Sequence, residues 1–136
     1  MRSHLKAAQL LNKRLLDKKT QHERLIRFES EYKNDELTLQ ASSIILIRAA
    51  DNYIELFYER EGSLQRHTIR NTLKNAEMIL QDFDYLFRCH RSFIINVNYL
   101  KEIQGNSQGY RLYFEKLDFY AAVSQNYIPE FEKRIK

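Results

Sequence analysis

The chain has 136 residues, of which 43% are apolar and 29% charged, and it contains only three Gly and one Pro. This length and composition favour one folded domain with an extension over a disordered chain or two full domains. The net charge is +4, yet residues 37–136 carry thirteen Lys/Arg against twelve Asp/Glu, so a surface for nucleic acid must come from local clustering of cations. Nine Tyr and eight Phe favour a β-rich core.

The first stretch, from Met1 to about Phe28, contains neither Gly nor Pro and predicts an amphipathic helix. Its apolar residues recur at helical spacing. They are Ala8, Leu11, Leu15 and Leu25, flanked by Leu5, Leu10, Leu16 and Ile26. Lys18 and His22 interrupt this seam, so two interpretations stay open: a helix that pairs with a partner or its own copy, and a helix folded back on the domain.

A polar patch, Glu29 to Glu36, contains the predicted turn Asn34-Asp35 and marks a boundary. We therefore predict that residues 1–36 form a signalling or dimerisation helix with its linker, and that residues 37–136 form the main domain.

Short strands dominate the main domain. Leu37, Leu39 and Ala41 alternate with polar residues, and the run within Ser43–Ala50 is apolar throughout its middle, as in a strand buried on both faces. The other predicted strands are Tyr53–Tyr58, Leu64–Ile69, Leu86–Arg88, Phe93–Val97, Leu100–Ile103, Tyr110–Glu115 and Phe119–Val123. Turns are predicted at 51–52, 61–62 and 105–109.

Two short helices complete the prediction. Asn71 or Thr72 can cap a helix that starts near Leu73. Ser124 begins a final helix, with Pro129 in its first turns and with Phe131 and Ile135 docking it. The predicted fold is mainly β with a few short helices, built from small antiparallel sheets and preceded by an N-terminal helix.

Cations cluster between residues 66 and 91. The cluster contains Arg66, Arg70, Lys74, Arg88, His90 and Arg91. Such groups, with the hydroxyls of Thr72 and Ser92, suit a phosphate backbone. Spacing alone leaves a solvated face as the alternative, and Asp82 and Asp84 dilute the positive field.

Base reading requires donors and acceptors at loop tips. Arg91 can fork onto guanine, and Gln125, Asn126 or Asn52 can pair with adenine. Asn52 has the alternative role of a turn residue with positive φ.

The residues argue against an enzyme. Cys89 and His90 are adjacent, and neighbours on a strand point to opposite faces. The four histidines lack metal-ligand spacing, and no Gly-rich phosphate loop is present. We expect no catalytic residue, no metal and no cofactor. A single cysteine and the lack of a long apolar run predict a cytoplasmic protein.

The segment Phe87–Asn96, which reads Phe-Arg-Cys-His-Arg-Ser-Phe-Ile-Ile-Asn, resembles the signature of the LytTR DNA-binding domain. Three other segments fall in the order of that family: Ile47–Tyr53, Ile69–Lys74 and Val123–Tyr127. The resemblance runs from about Leu37 to Ile135.

This resemblance implies a compact fold of small antiparallel sheets, and DNA binding through loops inserted into successive major grooves of a bent duplex. By position, Tyr53, Arg91 and Gln125 are the base-reading candidates. The phosphate-binding candidates are Arg70, Lys74, Arg88, His90, Ser92 and Ser124.

The chain departs from the family at Gln125, where Arg is usual. Arg forks onto guanine and Gln prefers adenine, so the departure implies an altered half-site. His90 has an alternative role as a histidine hydrogen-bonded under the loop to hold its shape. Asn96 is interpreted as a structural turn or capping residue.

The function implied is sequence-specific binding of double-stranded DNA as the output domain of a bacterial transcriptional regulator, and we expect a homodimer to occupy direct repeats. No receiver domain is found, so the input lies elsewhere, in a missing sensor or in a membrane region that would make this chain its cytoplasmic part. The alternative function is a protein-interaction or sensory β-domain that has lost DNA binding, which the near-neutral body and Gln125 support.

Overall fold

The computed structural model of the chain describes residues 7–16, 24–32 and 34–135. Within them the chain forms three antiparallel sheets and three short helices. This confirms the predicted fold class, mainly β with small antiparallel sheets after an N-terminal helix.

The central sheet has five strands in the order β5–β4–β3–β7–β6. These strands are β3 (Ile44–Ala50), β4 (Tyr53–Arg60), β5 (Ser63–Arg70), β6 (Leu86–His90) and β7 (Phe93–Asn96). A hairpin of β1 (Leu25–Glu29) and β2 (Glu36–Gln40) forms a second sheet. The third sheet has the order β10–β9–β8 and consists of β8 (Leu100–Asn106), β9 (Gly109–Phe114) and β10 (Tyr120–Val123).

Three helices accompany the sheets: α1 (7–16), α2 (Leu73–Ile79) and α3 (Ile128–Ile135). None of the helices in the described part of the chain combines the length and the apolar composition that crossing a bilayer requires. The predicted elements of the main domain lie close to their expected positions, except that β8 continues to Asn106, into a segment predicted as turn.

The central sheet is covered on both faces, and each face has its own core. The β1–β2 hairpin and α2 pack on one face, where Phe28, Leu39 and Ala76 are buried. The three-stranded sheet and α3 pack on the other, where Leu112 and Phe131 are buried. The apolar run of β3 therefore has the predicted cause, since this strand lies at the centre of the sheet between two cores.

A β-bulge in β3 departs from strict alternation. Ile44 lies opposite Tyr58 and Leu46 opposite Phe57, which leaves Ile45 as an extra residue. Ile45 and Leu46 consequently both enter the second core, whereas Ile44 and Ile47 enter the first.

The prediction of one helix up to about Phe28 is wrong for its C-terminal end. Residues 25–29 form β1, in which Ile26 and Phe28 alternate into the core opposite Leu39 and Leu37 of β2. The pairing of β1 with β2 in the hairpin overrides the helical spacing of this short segment. The division of the chain after residue 36 stays a prediction, although β1 packs in the same core as β2.

Residues 7–16 are helical, and every side chain there is exposed. Leu10, Leu11, Leu15 and Leu16 are each about half exposed or more. The predicted positions Leu5, Lys18 and His22 lie outside the described residues.

At the C-terminus, the prediction that Ile135 docks the last helix is wrong. Ile135 is exposed, and Ile128 and Phe131 are the buried residues of α3. A 3-10 turn at Gln125–Tyr127 separates Ser124 from the helix, so the apolar pair that faces the core is spaced by three residues and begins earlier.

Asn96 has the structural role expected of it. Its fully buried side chain donates to the carbonyl of Ile44 (2.7 Å) and accepts from the backbone N–H of Asn98 (2.8 Å). The first bond ties the end of β7 to the start of β3, and the second caps the 3-10 turn that follows β7.

Candidate nucleic-acid interface

Several loops meet at one edge of the central sheet. The turn 51–52 joins β3 to β4, and Tyr53 lies opposite Arg70, the last residue of β5. The turn 91–92 joins β6 to β7 beside it, because the N–H of Ala49 donates to the carbonyl of Ser92 (2.9 Å). We call this set, residues 51–53, 70, 91–92 and 124–126, the loop edge.

The third loop is attached by a single backbone hydrogen bond. The N–H of Ser124 donates to the carbonyl of Cys89 (3.1 Å) across the gap between the two larger sheets. Cys89 is itself the extra residue of a bulge in β6, since Arg88 lies opposite Ile94 and His90 opposite Phe93. A bulge bends its strand locally, and here the extra residue is the one that bonds the third loop.

Arg91 is the freest cation of the loop edge. Its side chain is exposed and makes no hydrogen bond or ion pair with any residue that the structure describes. A guanidinium that is held by its turn and has no intramolecular partner keeps all five donors for an external acceptor.

Arg88 behaves differently, because its guanidinium is used within the protein. Nη2 donates to the carbonyl of Arg91 (2.8 Å) and Nε to that of His90 (3.3 Å). Nη1 contacts Oε1 of Glu77 on α2 at 3.2 Å, and only 19% of the side chain is exposed. Arg88 thus braces the 91–92 turn from below and anchors it to α2.

His90 also shapes this turn. Its Nδ1 accepts a hydrogen bond from the N–H of Ser92 (3.0 Å), and its ring lies edge-on to Phe93. An accepting Nδ1 is unprotonated, which places the proton of the neutral ring on Nε2. Burial, with the charges of Arg91 and Arg88, lowers the pKa of His90.

Tyr53 and Arg70 lie side by side across β4 and β5. Tyr53 is 42% exposed, and its ring centroid is 5.7 Å from the guanidinium carbon of Arg70. The hydroxyls of Tyr53 and, less strongly, Tyr32 raise the pKa of Arg70 in opposition to burial. Arg70 is therefore a charged group at the loop edge, half-buried between aromatic rings.

The start of α2 follows Arg70 directly. Of the two predicted caps, Thr72 is the one used: its Oγ1 accepts from the N–H of Asn75 (3.1 Å). Asn71 is buried and accepts from the N–H of Thr72 (2.7 Å). Lys74 is exposed in the first turn of the helix.

The third loop presents polar groups without a cation. Gln125 and Asn126 are exposed, and Ser124 is half-buried and makes no capping bond.

Some predicted residues are not brought to the loop edge. Arg66 lies on β5 four residues before Arg70, and it pairs with Glu55 (3.6 Å). Asp82 pairs with Arg24 (3.2 Å) at the surface. In the 51–52 turn the positive φ, 56°, belongs to Asp51 and not to Asn52.

Cys89 and His90 do not form a catalytic arrangement. The Cys89 thiol lies in the second core, 3.6 Å from the carbonyl of Ala122. Burial raises the pKa of Cys89 to about 12, which is the opposite of what a thiolate nucleophile requires. Within the ranges that the structure describes, no group of acidic, histidine or cysteine side chains is arranged to hold a metal ion.

Two contributors were missed by sequence reasoning, Glu77 and Tyr32. Glu77 is separated from Arg88 by the segment that ends α2 and enters β6, and nothing in local spacing joins them. Tyr32 stands in the polar patch 29–36, where the pattern predicts only a linker.

Comparison with known protein families identifies one match. The sequence model of the LytTr DNA-binding domain matches residues 35–136. A solved structure described as a LytTr DNA-binding domain from Bacillus cereus is similar in fold, with a TM-score of 0.59 and 23% identity. That similarity covers 81% of this chain and 96% of the other. Among curated proteins there is no match.

Proposed function

Because this chain belongs to the family of LytTR DNA-binding domains, we propose that it binds double-stranded DNA sequence-specifically, as the output domain of a bacterial transcriptional regulator. The observation that carries the proposal is the meeting of three loops at the loop edge, where the side chain of Arg91 is exposed and bonds to none of the residues that the structure describes. A loop tip with a free guanidinium suits the O6 and N7 acceptors of guanine in a major groove.

In this proposal three loops enter the major grooves, and each supplies one reader. Tyr53 reads from the first loop, Arg91 from the second and Gln125 from the third. All three are exposed at the loop edge. Gln125 pairs with adenine through its amide, so its half-site differs from one read by Arg.

Phosphate contacts fix the position of the domain on the duplex. We assign them to residues around the readers: Arg70, Lys74, Ser92 and Ser124. Arg88 and His90, which were phosphate candidates on position alone, are assigned to the support of the second loop, because both already bond its backbone.

The proposal extends to the assembly and its place in the cell. The domain acts in the cytoplasm and occupies direct repeats as a homodimer. The apolar side chains of α1, exposed in a single copy, suit pairing with a second copy or connection to a sensor or membrane region.

Selection of bound sequences from a random duplex library at near-physiological salt tests the proposal. Wild-type protein is expected to enrich a motif repeated at about one helical turn, ~10 bp. Arg91→Ala is expected to lose preference at one base pair, at a cost of about 1–3 kcal/mol.

Lys101→Ala is the matched control. Lys101 is an exposed cation at the end of β8 remote from the loop edge, and its removal changes the net charge by the same amount. A folded wild-type protein that enriches nothing contradicts the proposal and favours the protein-interaction domain. Equal loss in the two variants contradicts base reading by Arg91.

A further inference from the structure

A stack of three side chains stands at one end of the loop edge. The guanidinium carbon of Arg70 lies 4.4 Å from the ring centroid of Tyr32 and 5.7 Å from that of Tyr53. The Nε atom of Arg70 is buried and has no hydrogen-bond partner. The two tyrosines therefore orient this guanidinium, through their rings and through the hydroxyls that raise its pKa, and Nε takes no part.

Tyr32 is held in place by its own loop, the connection between β1 and β2. The N–H of Glu31 donates to the carbonyl of Arg70 (3.0 Å), and Nδ2 of Asn71 donates to the carbonyl of Glu29 (2.7 Å). Oδ1 of Asp35 lies 3.2 Å from Nε2 of His67 on β5. The loop is thus tied to the end of β5 at both of its ends.

This loop stands largely before residues 35–136, the segment that matches the family. Tyr32 is 69% exposed, so a solvated tyrosine would be the ordinary reading of its position. Its contact with a half-buried arginine at the loop edge gives it a different role.

We infer that Tyr32 is a positioning residue for DNA binding, which orients Arg70 toward a phosphate and holds it beside the reader Tyr53. This inference rests on the proposed function. Stacking occupies the face of a guanidinium and leaves its terminal N–H groups for hydrogen bonding, so a stacked Arg70 is still able to donate to a phosphate at its edge. Fixing the side chain beforehand reduces the entropy lost on binding.

The surroundings of the stack suit a phosphate oxygen. Ser30, Thr68 and Arg70 line a cleft of about 460 Å³ between the two tyrosines. Asp35 also lines this cleft, with its carboxylate directed to His67. A duplex that touches Tyr53 from outside the loop edge brings its backbone to the mouth of this cleft.

The test is a double-mutant cycle between Tyr32 and Arg70, read as dissociation constants for the duplex recovered by selection and for a random-sequence duplex. Tyr32→Ala is expected to weaken binding of the selected duplex by roughly three- to tenfold, in line with the strength of cation–π contacts. Tyr32→Phe keeps the ring and is expected to retain most of the affinity. In the Arg70→Ala background, Tyr32→Ala is expected to have little further effect.

Tyr120→Ala is the matched control, because Tyr120 is also an exposed tyrosine stacked on an arginine, Arg111 (5.3 Å), but lies at the far end of β10. Thermal unfolding of each variant separates binding losses from loss of fold. Unchanged or tighter binding in a folded Tyr32→Ala variant overturns the inference, and so do additive losses in the double variant. Absence of DNA binding in folded wild-type protein overturns the proposed function itself.

Discussion

Arg88 offers the sharpest test of how the second loop is built. Its guanidinium is only 19% exposed and donates to the carbonyls of His90 and Arg91. Hydrogen bonds from a charged donor contribute about 1.5–3 kcal/mol each. The turn carbonyls can be rehydrated after truncation, so we expect Arg88→Ala to lower the free energy of unfolding by about 2 kcal/mol in all. The partly exposed contact with Glu77 adds under ~1 kcal/mol.

For a chain of this length a loss of about 2 kcal/mol lowers Tm by roughly 6–10 °C. Circular dichroism melts of Arg88→Ala, Arg88→Lys and Arg91→Ala measure it. Arg88→Lys is expected to melt well below wild type, because an ammonium lacks the planar fork that reaches two carbonyls. Arg91→Ala is the control in the same turn and is expected to melt within the small range of surface changes, about ±0.5 kcal/mol.

DNA titrations at several salt concentrations complete the test. Arg88→Ala is expected to weaken binding of the selected duplex, because the turn that carries Arg91 loosens. The salt dependence of binding is expected to stay nearly unchanged. A direct phosphate contact behaves in the opposite way: its loss reduces the steepness of the salt dependence of binding by about 0.9 and leaves Tm unchanged. An unchanged Tm together with a flattened slope would refute the bracing role of Arg88.

Three further outcomes are expected. Phe28→Ala empties a fully buried site and should destabilise the domain by about 3–5 kcal/mol, measured by urea unfolding, whereas Leu25→Ala on the exposed face of the same strand should be nearly neutral; equal effects would remove β1 from the core. Burial is the main cause that lowers the pKa of His90 in the folded protein, so on acidification the unfolded chain takes up the proton before the folded one does. The free energy of unfolding should therefore fall as pH drops below the unfolded pKa of about 6.5. His90→Asn should lessen this fall between pH 7.5 and 5.5, and an identical pH profile would exclude His90 as its source. Because burial raises the pKa of Cys89 to about 12, a disulfide reagent at pH 8 should label it only at the rate of unfolding, and labelling within seconds in native buffer would contradict its burial.

The positions of the strands along the main domain were predictable because each strand carries a local pattern. The apolar run of β3 indicated burial on both faces, and the structure has one hydrophobic core on each face of this strand. The bulge at Ile45 was not predictable, since it depends on which residues of β4 lie opposite. For the same reason β1 was missed: five residues cannot distinguish a strand from the end of a helix, and the partner Leu37–Leu39 decides.

The candidate site was likewise predictable in part. The resemblance indicated the positions of Arg91 and Tyr53, and the strand register places both at the loop edge. The sequence could not show that Arg88 is occupied by its own turn, because those bonds depend on how the turn closes. Nor could it join Tyr32 to Arg70, which lie on different elements.

The width of the central sheet limits the length of duplex that its loops can span. Neighbouring strands lie about 4.8 Å apart, so five strands measure about 19 Å from the first to the last. Successive major grooves on one side of straight DNA are about 34 Å apart. In the proposed binding mode, loops carried by this sheet and the strand beside it would reach both grooves only if the duplex curved toward the protein. Because the energy of curving depends on sequence, we expect flexible pyrimidine–purine steps between the contacted bases to strengthen binding without touching any side chain.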